Sequence, residues 1–215
     1  KTCSQAYEAG MGTEQFKDNK DLYNFVVGLN TLYTIDIGKE VINTLVKSKE
    51  RYQFSSEVSP QGAYAFKPST NEFYMGNLAG DDMRDSIVGY IGHEIFHAYQ
   101  KEVLGSGKTA GIDSEVEAYL FQYIVSNELT RYRSQIDDYR GGNDVEKGEQ
   151  YSLNMNTMLI NYQQMNTFPI GAFYNAVDRF KDGSATQGAY KTFSLISYTN
   201  KQEPVIAKFY HVRIR

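Results

Sequence analysis

A chain of 215 residues is long for one minimal core and short for two comfortable domains, so a single domain over 1–215 with a sizeable apolar interior is expected, with residues 1–18 as a loosely ordered leading segment. A formal net charge of −4, with 41% hydrophobic and 22% charged residues, describes an ordinary soluble protein and excludes a basic nucleic-acid-binding surface. No run approaches the roughly 20 apolar residues of a membrane span.

The single cysteine, Cys3, excludes an internal disulfide and a cysteine-rich metal site. The start at Lys1, without a methionine or a leader, points to a processed bacterial protein exported to the periplasm, cell surface or medium. The 18 tyrosines, set against no tryptophan, suit core and strand packing; the competing use is a groove for peptide or sugar. No internal repeat or linker divides the chain.

Between Asn19 and Glu50, Leu22, Phe25, Val26, Leu29 and Tyr33 recur at helical spacing, and Ile37, Val41 and Leu45 follow at four-residue steps. This predicts one long helix or two shorter ones broken near Gly38. Three short alternating runs come next: Tyr52 and Phe54, Tyr64 and Phe66, Phe73 and Met75. The turns Ser59-Pro60-Gln61-Gly62 and Pro68-Ser69-Thr70-Asn71 separate them, which predicts a small antiparallel meander.

Asp81 or Asp82 can cap a following helix whose core stripe is Ile87, Val88, Ile91 and Ile95. A second helix is predicted from Ile112 to Tyr132, with Val116, Leu120, Tyr123 and Ile124 on one face. Gly141 to Asp144 reads as a loop. Helical segments then surround Leu153, Met158, Leu159 and Tyr162, and Phe173, Val177 and Phe180. From Lys191 the alternation at Phe193 and Leu195, and later from Phe209 to Ile214, hints at strands.

The helix after Asp82 carries the chemistry. The chain has three histidines, and two of them, His93 and His97, stand four residues apart around Glu94. With about 100° between successive residues, positions i and i+4 share a face, so both imidazoles can hold one ion. Glu94 sits one step round, offset from that ion but within reach of a water on it. Imidazole nitrogens suit zinc, and a catalytic zinc keeps a water whose pKa falls to about 7. The bland alternative is a pair of satisfied helix histidines with a glutamate between them.

The segment His93-Glu94-Ile95-Phe96-His97 with Ser114-Glu115-Val116-Glu117-Ala118-Tyr119 resembles the HExxH zinc metallopeptidases. The longer metzincin signature is absent, since Gln100 and Val103 replace its glycine and third histidine. The likeness is instead to the gluzincin branch, and within it to bacterial toxin-type or effector-type zincins, and covers about 30 residues. It implies a third ligand from a glutamate on the next helix. Glu115 lies 18 residues after His97 in an E-x-x-A setting, and Glu117 lies 20 residues after it, at the thermolysin-like spacing. Glu115 shares its face with Ala118, Tyr119 and Gln122, whereas Glu117 leads onto Leu120, Phe121 and Ile124, so polarity favours Glu115. Where the family pattern has an acidic residue to orient a histidine, this chain has Tyr119 or Phe121, which leaves Asp113 and the Tyr119 phenol for that task.

The resemblance also implies a strand beside the cleft, here Asn71 to Asn77, with Met75-Gly76-Asn77 as the lip to which a peptide could add; the equal alternative is an ordinary strand of the sheet. It further implies an oxyanion donor from later in the chain, for which His211 beside Tyr210 is the candidate; the plainer use of His211 is an ordinary histidine on the last strand. The resulting expectation is an α+β, zincin-like fold, with a small antiparallel sheet beside the HExxH helix and a mostly helical C-terminal half. Its function would be hydrolysis of peptide or protein substrates, with Zn2+ on His93, His97 and Glu115 and with Glu94 and His211 as catalytic groups. The alternatives are an inactive protein of the same fold and a tyrosine-rich binding surface.

Overall fold

The computed structural model describes residues 20–59, 63–76, 84–105, 111–130, 145–182 and 203–210. His211, Cys3, Asn77, the capping candidates Asp81 and Asp82, the turn residues Pro60 to Gly62, the 141–144 loop and the strands expected at Phe193 and Leu195 lie outside them.

The first predicted helical stretch is two helices, α1 (Lys20–Tyr33) and α2 (Asp36–Lys47). The break falls at Thr34-Ile35, ahead of the expected Gly38. There the Thr34 and Ile35 amides turn back to the Thr31 and Leu32 carbonyls, and the Thr34 hydroxyl donates to Thr31 O at 2.6 Å. Gly38 has a different task. A Cβ on it would stand 2.2 Å from the Leu32 carbonyl oxygen, so only glycine lets the first turn of α2 lie against the end of α1.

Three strands follow: β1 (Gln53–Val58), β2 (Ala65–Lys67) and β3 (Glu72–Met75). The alternating runs therefore mark real strands, but the sheet is mixed, not an antiparallel meander. Its order is β1-β3-β2, with β1 parallel and β2 antiparallel to β3. The chain reverses between β1 and β2 without pairing them, and β3 fills the slot between. Phe73 on that central strand explains why: its ring lies 4.8 Å from Phe66, 6.0 Å from Phe54 and 5.9 Å from Phe25 of α1, one apolar contact set drawing both outer strands to it. As the middle strand, β3 cannot be the cleft edge. The expected lip at Met75-Gly76 is also closed, for a Cβ on Gly76 would stand 2.8 Å from the Tyr64 amide nitrogen.

The motif helix is α3 (Arg84–Leu104), and Ile87, Val88, Ile91 and Ile95 are buried as its spacing predicts. Gly105 ends it at φ +85°, with its N–H bonded to the Lys101 carbonyl at 2.9 Å, a left-handed cap that suits glycine. Next come α4 (Ile112–Thr130), α5 (Val145–Gln163) and α6 (Ile170–Asp182). Val205–Tyr210 form a 3₁₀ helix, which corrects the strand expected to begin at Phe209.

Among the described residues the protein is thus mostly helical with one small sheet, an α+β arrangement, and no helix is long and apolar enough to cross a membrane. Helix α3 is its axis. It packs against α1, α2 and β2, and most extensively along α4, where the Phe96 and Phe121 rings stack at 4.7 Å with both side chains fully buried.

Candidate metal centre

His93 and His97 stand four positions apart on the helix, so the two rings leave α3 from one face, 4.8 Å apart. That face meets the first turn of α4, which brings Glu115. Its carboxylate lies 3.5 Å from His93 Nε2 through Oε2 and 3.4 Å from His97 Nε2 through Oε1, while the two Nε2 atoms stand 3.1 Å apart. All three side chains are buried, and one ligand atom from each falls within 4.8 Å of the others, so the group could hold a metal ion.

The fit can be tested on those separations. Ligands about 2.0–2.1 Å from a zinc ion at tetrahedral angles stand about 3.4 Å from one another. The two Nε2 atoms at 3.1 Å, and the nearest Glu115 oxygen to each, Oε1 at 3.4 Å from His97 and Oε2 at 3.5 Å from His93, lie near that value. Two nitrogens and one carboxylate also match the donor set of a catalytic site that keeps one position open.

Without a cation, the carboxylate and imidazoles satisfy each other. Desolvation pulls the His97 pKa down, but the Glu115 charge and hydrogen bond, then Glu94 and Gln100, outweigh it and leave the ring raised to about 9. Glu115 shows the mirror image: burial opposes its charge, and His97 and His93 overcome this and hold its carboxyl well below the usual range. Its place in the first turn of α4, where the helix dipole favours an anion, works in the same direction.

The other glutamate is elsewhere. Glu117 is fully buried, and its Oε2 accepts the Ile206 N–H at 3.0 Å, which ties α4 to the 3₁₀ helix. Burial, with nearby Asp113 adding to it, pushes its pKa well up despite that hydrogen bond. Glu115, not Glu117, is the glutamate brought to the histidines.

Glu94 projects beside the pair towards the sheet. Its Oε2 accepts the backbone N–H of Phe66 at 2.7 Å. In the β2–β3 ladder Phe66 pairs opposite Phe73. The strand edge that faces the site is therefore β2, one strand further out than the sequence reading placed it. Burial raises the Glu94 pKa, and the two histidines and the Phe66 bond offset only part of the rise. The hairpin is fastened to α3 a second time by Lys101, whose ammonium donates to Pro68 O at 2.7 Å and to Asn71 Oδ1, the latter residue being in the left-handed region at φ 58°.

The groups around the histidines differ from those expected. The Tyr119 ring packs edge-on against His93, with centroids 4.4 Å apart. Asp113 is fully buried near Glu117. The side chain that meets His97 Nδ1 is Gln100, whose Oε1 lies 2.9 Å away. Gln100 belongs to no motif, and the sequence marks it only as a residue that is not the metzincin glycine. The available signal was its position three residues after His97, which puts an amide on the same face of the helix. His93 Nδ1, by contrast, is buried with no hydrogen-bond partner among the described residues.

Comparison with protein-family models, with curated proteins and with solved structures gives no match to this chain.

Proposed function

We propose that this chain is a zinc-dependent peptidase of the gluzincin type, in a zincin-like fold. One observation carries the reading: the side chains of His93, His97 and Glu115 converge at metal-ligand spacing, with Glu94 one residue round the same helix. Bound zinc would polarise the scissile carbonyl and make a water acidic enough to ionise near pH 7.

The chain's own residues supply the proton path. Glu94 takes one proton from the attacking water as its oxygen bonds to the carbonyl carbon, then delivers that proton to the leaving amine as the C–N bond breaks. A carboxyl raised by burial gives up and takes protons nearer neutrality, which suits both halves of that cycle. The Phe66 N–H fixes the carboxylate by one oxygen and aims it from β2. The outer edge of β2 is then where an extended peptide would lie beside the site.

The same Phe66 bond supports a second reading, in which Glu94 is a structural acceptor and the metal serves the fold alone. Glu94→Gln separates the two. The peptidase reading predicts about one zinc per chain in the variant, with cleavage of mixed peptides or unfolded protein reduced by roughly 10²–10⁴-fold. A wild type that binds zinc and cleaves nothing, with Glu94→Gln altering only its melting temperature, would establish the structural reading instead.

A further inference from the structure

Gln100 is fully buried, three residues after a histidine that faces the metal position, and neither the motif nor the proposed chemistry uses it. Its amide spans the two helices that carry the ligands. On one side Oε1 stands 2.9 Å from His97 Nδ1 on α3; on the other Nε2 donates to the Ser114 carbonyl on α4 at 3.0 Å. Ser114 immediately precedes Glu115.

The protons on this path follow from what each atom can do. A backbone carbonyl accepts only, so the end of the Gln100 amide that faces Ser114 is its NH2. The end that faces His97 is then the carbonyl oxygen, which also accepts only. His97 Nδ1 must therefore carry a hydrogen and donate it. With Nδ1 occupied, the lone pair available to a metal is that of Nε2, the atom facing Glu115. Turning the amide over would set two carbonyl oxygens against each other in a buried place, so Ser114 holds the orientation and Gln100 transmits it.

We propose that Gln100 is the positioning residue of the metal site, fixing the His97 tautomer and ring and locking α3 to α4 beside Glu115. The assignment rests on the metal-site reading above. It gives this chain, through a neutral amide, the orienting partner for a ligand histidine that carboxylates or backbone carbonyls commonly supply. It also makes the two histidines unequal: His97 is held through its outer nitrogen, whereas His93 Nδ1 has no such partner among the described residues and its ring rests on Tyr119.

The test uses the full chain and zinc itself, in competition with a chelator of known affinity, on wild type, Gln100→Met, Gln100→Glu and His97→Ala. Gln100→Met keeps the size and removes the acceptor; zinc affinity should fall by roughly 10–100-fold at unchanged stoichiometry. Gln100→Glu keeps an acceptor for Nδ1–H but turns its second oxygen towards the Ser114 carbonyl and Glu117, so its zinc affinity should lie between those of Gln100→Met and wild type. A buried contact with a purely structural role would lower the melting temperature of both variants and leave the zinc affinity of the folded protein where it was.

Long-range 15N–1H spectra of zinc-loaded wild type give a second readout that needs no variant. The proposal requires a slowly exchanging proton on His97 Nδ1 and none on Nε2. Wild-type affinity in Gln100→Met, or an unprotonated Nδ1 in wild type, overturns it. Failure of the underlying site reads differently, as wild type that binds no more zinc than His97→Ala.

Discussion

His97 and Glu115 are an ion pair while no cation lies between them, and that state has consequences that can be measured. At pH 7 a ring raised to about 9 is protonated, so zinc must displace a proton to bind. Calorimetry in two buffers of different ionisation enthalpy should therefore report protons released at pH 7, and affinity should fall as the pH falls. For the metal-free protein the sign also follows from the shifts. His97 is raised from 6.5 to about 9, so its contribution to stability is full below about 6.5 and lost as pH rises towards 9. Glu115 is lowered from 4.5, so its contribution is present above about 4.5 and lost in acid. Glu117 and Glu94, both raised, also weaken the fold as the pH climbs above the ordinary carboxylate range. The melting temperature of the metal-free chain should then decline between pH 6.5 and 9, and a rise over that window would contradict the assigned pairing.

At the scale of elements, the site is a contact between the middle of α3 and the first turn of α4, so whatever seals those helices also sets the ligand spacing. The stacked, fully buried Phe96 and Phe121 pair is one such seal. Phe121→Ala should cost about 3–5 kcal/mol in denaturant unfolding of the metal-free chain. It should also weaken zinc binding, because the cavity lets α4 shift against α3; a variant with unchanged zinc affinity would show that the ligands do not depend on this seam. The helices were legible in the sequence most clearly where the apolar period is regular, as in α2 and α6, whereas α4 is buried on nearly every side of its first two turns and shows little period. Boundaries were less so: the α1–α2 break is set by backbone turns at Thr34-Ile35, while Gly38 drew the eye for a steric reason that only packing reveals. Strand existence was readable from two-residue alternation, but pairing was not. Alternation says which residues share a face, and it carries no information on whether β2 or β3 lies beside β1. The 3₁₀ helix at Val205–Tyr210 was missed because six residues are too few to separate a tight helical turn from a strand by period.

The whole molecule brings distant segments to one point: α3 with its two histidines, α4 with Glu115 and the edge of β2 at Glu94. The two histidines and Glu94 were readable because they share one helix, where spacing alone dictates direction. The choice between Glu115 and Glu117 rested on the polarity of a helix face, and it agrees with the convergence now seen. The roles of Gln100 and Phe66 were not legible, because one is an amide without a motif and the other, read only as a strand residue, acts through its backbone. The measurement that tests the central claim most directly is zinc per chain, by elemental analysis of metal-loaded and dialysed wild type beside His97→Ala and Glu115→Ala. The account predicts about one zinc in wild type and a loss of it in both variants, with wild type melting higher when loaded. Equal zinc in all three proteins, or none in wild type, would contradict it.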